Sequence, residues 1–289
     1  MDNKLLSSNF SCLNDDIKVY YLDTCVWSEI ASIDKSFNKF NAFFENENLV
    51  ACLSTFALSE LSKPTNLKNE RSIFFEETKA NISVPLPYDF VIESEVKNFP
   101  NDWKMQWIPL AKLFSSSSQI TFDSVQGLLE EKRSKFLQFA NNRFLKLDEY
   151  KTNFPPLHGD DYTIEDSSAF AWAVSLDFLS REFPFFLKSQ IGFIRNNSRE
   201  ILKSLKSLWL RCELIFFKYY LHGQDPKISD FIDYAHACYA PYCNVFVTEK
   251  NLSNVLKHIK RHDDILSNTT IIHVSDFLKQ INLKGMRTK

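Results

Sequence analysis

Four acidic side chains sit where carboxylates can act together. Asp23 closes the apolar run KVYYL (residues 18–22), and Glu60 lies about one and a half helical turns past a second apolar run, within LSTFALSELSK (53–63). Asp230 and Asp233 stand three apart in ISDFIDYAHA (228–237), on one face of a helix. In an open parallel sheet, ligands gather beyond the carboxyl ends of the strands, so a polar residue closing an apolar strand points into a site rather than a core. Carboxylates converging there raise one another's pKa and cannot all stay ionised without a shared cation. All-oxygen donors favour Mg²⁺ or Mn²⁺, which keep several waters and complete their octahedron with phosphate oxygens. The chemistry this suggests is phosphodiester hydrolysis: one ion lowers the pKa of an attacking water, and a second, roughly 3.5–4 Å away, steadies the leaving oxygen. Thr24 and Thr248, each beside a ligand position, can hold a metal-bound water or a phosphate. Simpler roles exist for each acid alone. Asp23 can cap the following helix, Asp230 and Asp233 can form a solvated first turn, and Glu60 can pair with Lys63.

The elements that must position these residues are legible as alternating strands and helices. Strands are expected at 18–22, 49–54, 244–248 and 269–274, all continuously apolar or β-branched, as in a parallel sheet covered on both faces. Helical patterns lie between them, including SFNKFNAFFENE (36–47), with Phe37, Phe40, Phe43 and Phe44 at helical spacing. Residues 64–227 show helical patterns, notably 122–150 and 165–183, with a Pro- and Gly-containing loop at 151–163. The expected organisation is a discontinuous α/β domain over 1–63 and 228–289, interrupted by an α-helical insertion over 64–227 that serves as a substrate-binding or lid region.

In order and character, YLDTCVWSEIA, LSTFALSEL, DFIDYAHA…NVFVTEKNL and TTIIHVSDFL resemble the PIN-domain ribonucleases. The resemblance covers about residues 18–63 and 228–279. It implies an α/β/α three-layer sandwich with a short parallel sheet, a Mg²⁺- or Mn²⁺-dependent endoribonuclease, and catalytic acids at Asp23, Glu60 and Asp233, with Asp230 as a further ligand. Where the family places an Asp on either side of the FVT strand, this chain has Asn244 and Lys250. Glu249, adjacent to the second position, is the candidate replacement ligand, and Asn244 a candidate substrate contact. Two alternatives stay open: a catalytically impaired module that binds RNA or a protein partner, and a structure-specific DNA nuclease. With 5 Gly and 27 Phe, and many Asn and Lys, the composition suggests an AT-rich coding sequence, compatible with a toxin or defence nuclease and an antitoxin or other partner protein.

Composition sets outer limits. A net charge of −2 gives no global attraction to nucleic acid, so any such binding must be local. A local candidate exists in residues 188–220, which hold seven basic residues against two acidic ones, and where Arg195, Arg199, Lys203 and Lys206 fall at i, i+4, i+8 and i+11, which places them in one stripe able to track a phosphate backbone. No apolar stretch reaches the roughly 20 residues of a membrane span. The opening residues do not read as a secretory signal, so a cytoplasmic location is expected. The six cysteines contain no C-x-x-C pair and read as small apolar side chains. His258 and His262, at i and i+4, have zinc-compatible spacing but no ligand partner in register, and read as a solvated basic face. His236, three residues after Asp233 on the same helix, can assist catalysis or pack against Tyr239, and packing is the expected role.

Overall fold

The run that ends at Asp23 lies inside a six-stranded sheet. The computed structural model describes residues 10–45, 48–61, 68–115, 152–157, 159–225 and 227–283. In chain order the first elements are β1 (Lys18–Leu22), α1 (Thr24–Ala31), α2 (Ser36–Glu45), β2 (Leu49–Cys52), α3 (Thr55–Leu61), α4 (Lys68–Thr78), β3 (Ile82–Pro85), α5 (Tyr88–Asn98), β4 (Trp107–Pro109) and α6 (Leu110–Ser115). There follow α7 (Ser167–Glu182), α8 (Pro184–Asn196), a 3-10 turn (Arg199–Ser204), α9 (Lys206–Ile215), a π-helical turn (Phe216–Leu221), α10 (Ile228–Ala237), β5 (Val245–Thr248), α11 (Lys250–His262), β6 (Thr270–His273) and α12 (Val274–Gln280). The strand order is β4-β3-β2-β1-β5-β6. All neighbours are parallel except β3 and β4.

The chain steps outward from β1 to β2, β3 and β4, then returns to the other side of β1 for β5 and β6. Direction therefore reverses between β1 and β5, which makes their carboxyl ends the topological switch point, where open α/β sheets leave a crevice.

Period-two alternation sends successive side chains to opposite faces of each strand. Val19, Tyr21, Phe246 and Ile271 enter a core shared with α5, α7, α9, α10 and α11. Leu22, Ala51, Leu53, Ile82, Val84 and Val247 enter a second core with α1 to α4 and α12. Helices thus cover both faces, which explains the continuously apolar strands. In the second core Phe40 of α2 packs at ring-centroid distances of 5.7 Å from Trp27, 4.5 Å from Phe44 and 5.3 Å from Phe74.

Two features differ from the expected division of the chain. The sheet continues into the span read as helical, because β3 pairs with β2 and β4 with β3. These strands have four and three residues and contain Pro85 and Pro109, too short for a periodic signal. In addition, α9 is buried on every side from Ser207 to Ile215 and shares the core of Tyr21 and Phe246, so it is a structural member of one layer rather than a peripheral lid. The helix expected at 122–150 lies outside the described residues. No described helix is long and apolar enough to cross a membrane.

Candidate active site at the strand switch point

β1 delivers Asp23 to the carboxyl edge of the sheet, where its backbone N–H still donates to Val247 O of β5 at 3.0 Å. The chain then turns directly into α1, and Asp23 is its N-cap: Oδ1 accepts the Thr24 N–H at 2.6 Å. Oδ2 accepts the Thr248 hydroxyl at 2.6 Å, a contact that bridges the ends of β1 and β5. Thr248 is fully buried and Asp23 is 6% exposed, so each depends on the other for its polar pairing.

Glu60 arrives from the next unit. Ser54, between β2 and α3, accepts the Ala57 N–H through its Oγ at 3.1 Å, and one turn later Glu60 faces α1. Its Oε2 accepts the Thr24 hydroxyl at 2.5 Å. Asp233 and His236 arrive from α10, three residues apart and hence on one face.

His236 stands between the acids. Its Nε2 is 3.5 Å from Asp23 Oδ1, 3.4 Å from Glu60 Oε2 and 3.2 Å from Thr24 Oγ1. Its Nδ1 is 2.5 Å from the Tyr21 hydroxyl, which itself donates to Ser54 Oγ at 2.9 Å. Since the phenol spends its one proton on Ser54, Nδ1 must carry the proton of the His236–Tyr21 bond. Tyr21 is clamped by stacking on Phe246 (4.8 Å) and Tyr239 (5.3 Å). Burial pushes the His236 pKa down, but the charges of Asp23 and Glu60, with Asp233 behind them, outweigh it and leave it above its ordinary value. The carboxylates around it thus favour the protonated ring.

Asp233 is the least settled acid. Burial, opposed by Lys218 and His236 and aided by Asp23 and Asp230, brings its carboxyl up to about 7. The Lys218 ammonium lies 3.5 Å from Asp233 Oδ2. Lys218 makes a much closer ion pair with Asp230 Oδ1, and Asp230 Oδ2 accepts from the Tyr219 hydroxyl and the Lys227 N–H, both at 2.8 Å. Asp230 therefore fastens the start of α10 to the π-helical turn, one step removed from Asp23.

The remaining expected site residues are dispersed. Glu249 is exposed at the N-cap position of α11 and makes no capping bond, yet its charge, after burial and Asp23, helps to raise the Cys25 thiol pKa, which places it on the Cys25 side of the cluster. Asn244 is at the opposite, amino-terminal edge of the sheet, where its Oδ1 accepts the Val19 N–H at 2.8 Å. It fixes the register of β1 against β5 and lies a strand length from Asp23. The basic stripe does not form, because extended backbone at Asn197 and Ser198 and a break at Leu205 divide α8, the 3-10 turn and α9. Within it, Lys203 pairs with Asp263 and Asp264 at 3.1 Å each, Lys206 with Asp102 at 3.3 Å, and Arg199 lies 5.9 Å from the Trp172 ring centroid.

Two residues of the cluster differ from the roles expected of them. For His236 the expected role is packing against Tyr239, with catalysis the alternative; the structure sets it between the acids. Lys218 was one more charge in a basic run, and nothing local marked it as buried. Among the described residues, no three His, Cys, Asp or Glu side chains are drawn together closely enough to hold an ion as they stand. The chemistry of the donor set still suits a hard dication: three carboxylates and a hydroxyl, with Asp233 held near neutral pKa by burial and its acidic neighbours. The chain matches no protein-family model, and no curated protein or solved structure matches it significantly.

Proposed function

We propose that the protein is a Mg²⁺- or Mn²⁺-dependent endoribonuclease of PIN type. The observation that carries this reading is the placement of Asp23 and Glu60 around Thr24 and His236 at the switch point of a mainly parallel sheet, with Asp233 on the same helix face as His236 and within reach of the Asp23 charge. Asp23, Glu60 and Asp233 would hold the ion, which when bound supplies an activated water and a counter-charge for phosphate oxygens. Thr248 fixes the direction of the Asp23 carboxylate, and Thr24 does the same for Glu60. The His236 imidazolium, with its Tyr21 and Ser54 supports, holds the acids together before ion and substrate arrive. Lys218, buried beside Asp230, lies 3.5 Å from Asp233 and gives the cluster a second positive charge.

A second reading is a metal-independent module that binds RNA or a protein. The presence of His236 and Lys218 as built-in cations favours it, because they already offset part of the acidic charge. Incubating the protein with labelled single-stranded and structured RNA and DNA, in Mn²⁺ or in EDTA, separates the readings. The nuclease reading expects RNA cleavage in Mn²⁺ only. Binding without cleavage supports the module, and DNA cleavage alone supports a structure-specific DNA nuclease.

A further inference from the structure

Three imidazoles meet on the surface away from the carboxylate cluster. His258 and His262 are one turn apart on α11, and His222 follows the π-helical turn, distant in sequence. His222 and His258 are stacked with ring centroids 5.4 Å apart, and His258 and His262 are 5.2 Å apart edge to face. Phe217 lies beneath, 5.0 Å from the His258 ring and 6.5 Å from that of His262.

The separation of the nitrogens is informative. His258 Nδ1 and His222 Nε2 are 3.4 Å apart, long for a hydrogen bond between neutral rings. With metal–nitrogen bonds of about 2.0–2.1 Å, a tetrahedral ion separates two nitrogen ligands by about 3.4 Å. His262 is on the same face as His258 at the i, i+4 spacing used by zinc-binding helices, and as an exposed side chain it changes rotamer freely. We propose that His222, His258 and His262 form a binding site for a borderline transition-metal ion of the Zn²⁺ class, His222 and His258 being the preformed pair and His262 the ligand that closes by side-chain rotation.

Arg261 opposes a cation through its charge, so affinity must come from coordination bonds. This selects imidazole-preferring ions over Mg²⁺, unlike the all-oxygen cluster. A bound ion would tie α11 to the segment between Lys218 and Asp230, the stretch that leads into α10.

Isothermal titration of the full chain with Zn²⁺, and with Co²⁺ as a spectroscopic probe, tests this site. The expected result is one tight equivalent with a Co²⁺ spectrum of tetrahedral type, separate from any weaker event at the carboxylates. That tight event should weaken at least tenfold in His258→Gln and in His222→Ala. Absence of binding overturns the proposal, as does binding that is unaffected by His258→Gln, disappears in Asp23→Asn, or is abolished only by alkylating the thiols.

Discussion

Thr248 Oγ1 donates to Asp23 Oδ2 at 2.6 Å, joining the last residue of β5 to the residue that closes β1. The bond spans the point where the strand order reverses, so the carboxylate is held by the sheet on one side and by the start of α1 on the other. Asp23 is thus both a helix cap and a candidate ligand, two roles that substitutions can separate. Asn keeps an acceptor for the Thr24 N–H and leaves Thr248 a partner, whereas Ala removes the cap, worth about 1–2 kcal/mol. Asp23→Asn is expected to melt within a few degrees of the parent and to have no Mn²⁺-dependent cleavage. Asp23→Ala should lose both activity and stability, as read by urea denaturation.

The imidazolium of His236 makes a different prediction. Replacing it with Phe leaves Asp23 and Glu60 facing each other without their buried counter-charge, a loss of about 3–5 kcal/mol in metal-free buffer. Divalent ions should then stabilise His236→Phe more than the parent, because the ion takes over a charge that His236 otherwise supplies. Thermal melts with and without Mn²⁺ measure this; equal shifts in the two proteins would contradict it.

Lys218 is expected to be structural first. Lys218→Met leaves the buried Asp230 unneutralised and removes the cation beside the half-buried Asp233, and should cost about 3–5 kcal/mol. Adding Asp230→Asn should recover part of that loss, since the close partner no longer carries a charge. A double-mutant cycle by urea denaturation reports the coupling, and strict additivity would argue against the pair.

Glu213 of α9 provides the pH prediction. Among the described residues, neither of its carboxylate oxygens has a hydrogen-bond partner, and burial, followed by the charge of Asp263, pushes it from 4.5 up to about 8, against the pull of Lys203. Glu95 is displaced the same way, up to about 7, chiefly by burial. The sign follows from the unfolded chain, which releases these protons near 4.5 while the folded chain keeps them. The contribution of these two protonated carboxyls is therefore fully present below pH 4.5 and is lost as pH rises towards 8, an amount on the order of a few kcal/mol. Glu213→Gln should flatten much of that slope and raise stability at pH 8, as read from urea midpoints at several pH values.

Much of this arrangement was legible along the chain, for physical reasons. The strands ending at Leu22 and Thr248 were visible because burial on both faces demands unbroken apolar runs. Asp23 stood out as the polar residue that ends such a run. Glu60 and Asp233 were visible through helical spacing. Asn244 was misplaced because sequence gives position along a strand but not which edge holds the crevice, and its side chain instead pairs with Val19. The stripe from Arg195 to Lys206 failed because i+4 counting assumes an uninterrupted helix, and the backbone breaks at Asn197 and Leu205 move its members onto different elements. The roles of His236, Lys218 and His222 depend on partners distant in sequence, which periodicity does not report.

The account rests most directly on whether Asp23, Glu60 and Asp233 share one divalent ion. Calorimetric titration of Mn²⁺ into the parent, Glu60→Gln and Asp233→Asn, carried out in His258→Gln so that the imidazole cluster does not compete, measures this. Saturable binding in the parent background, weakened at least tenfold by each carboxylate substitution, is the predicted result. Binding of equal strength in all three, or none at millimolar Mn²⁺, would contradict the nuclease assignment.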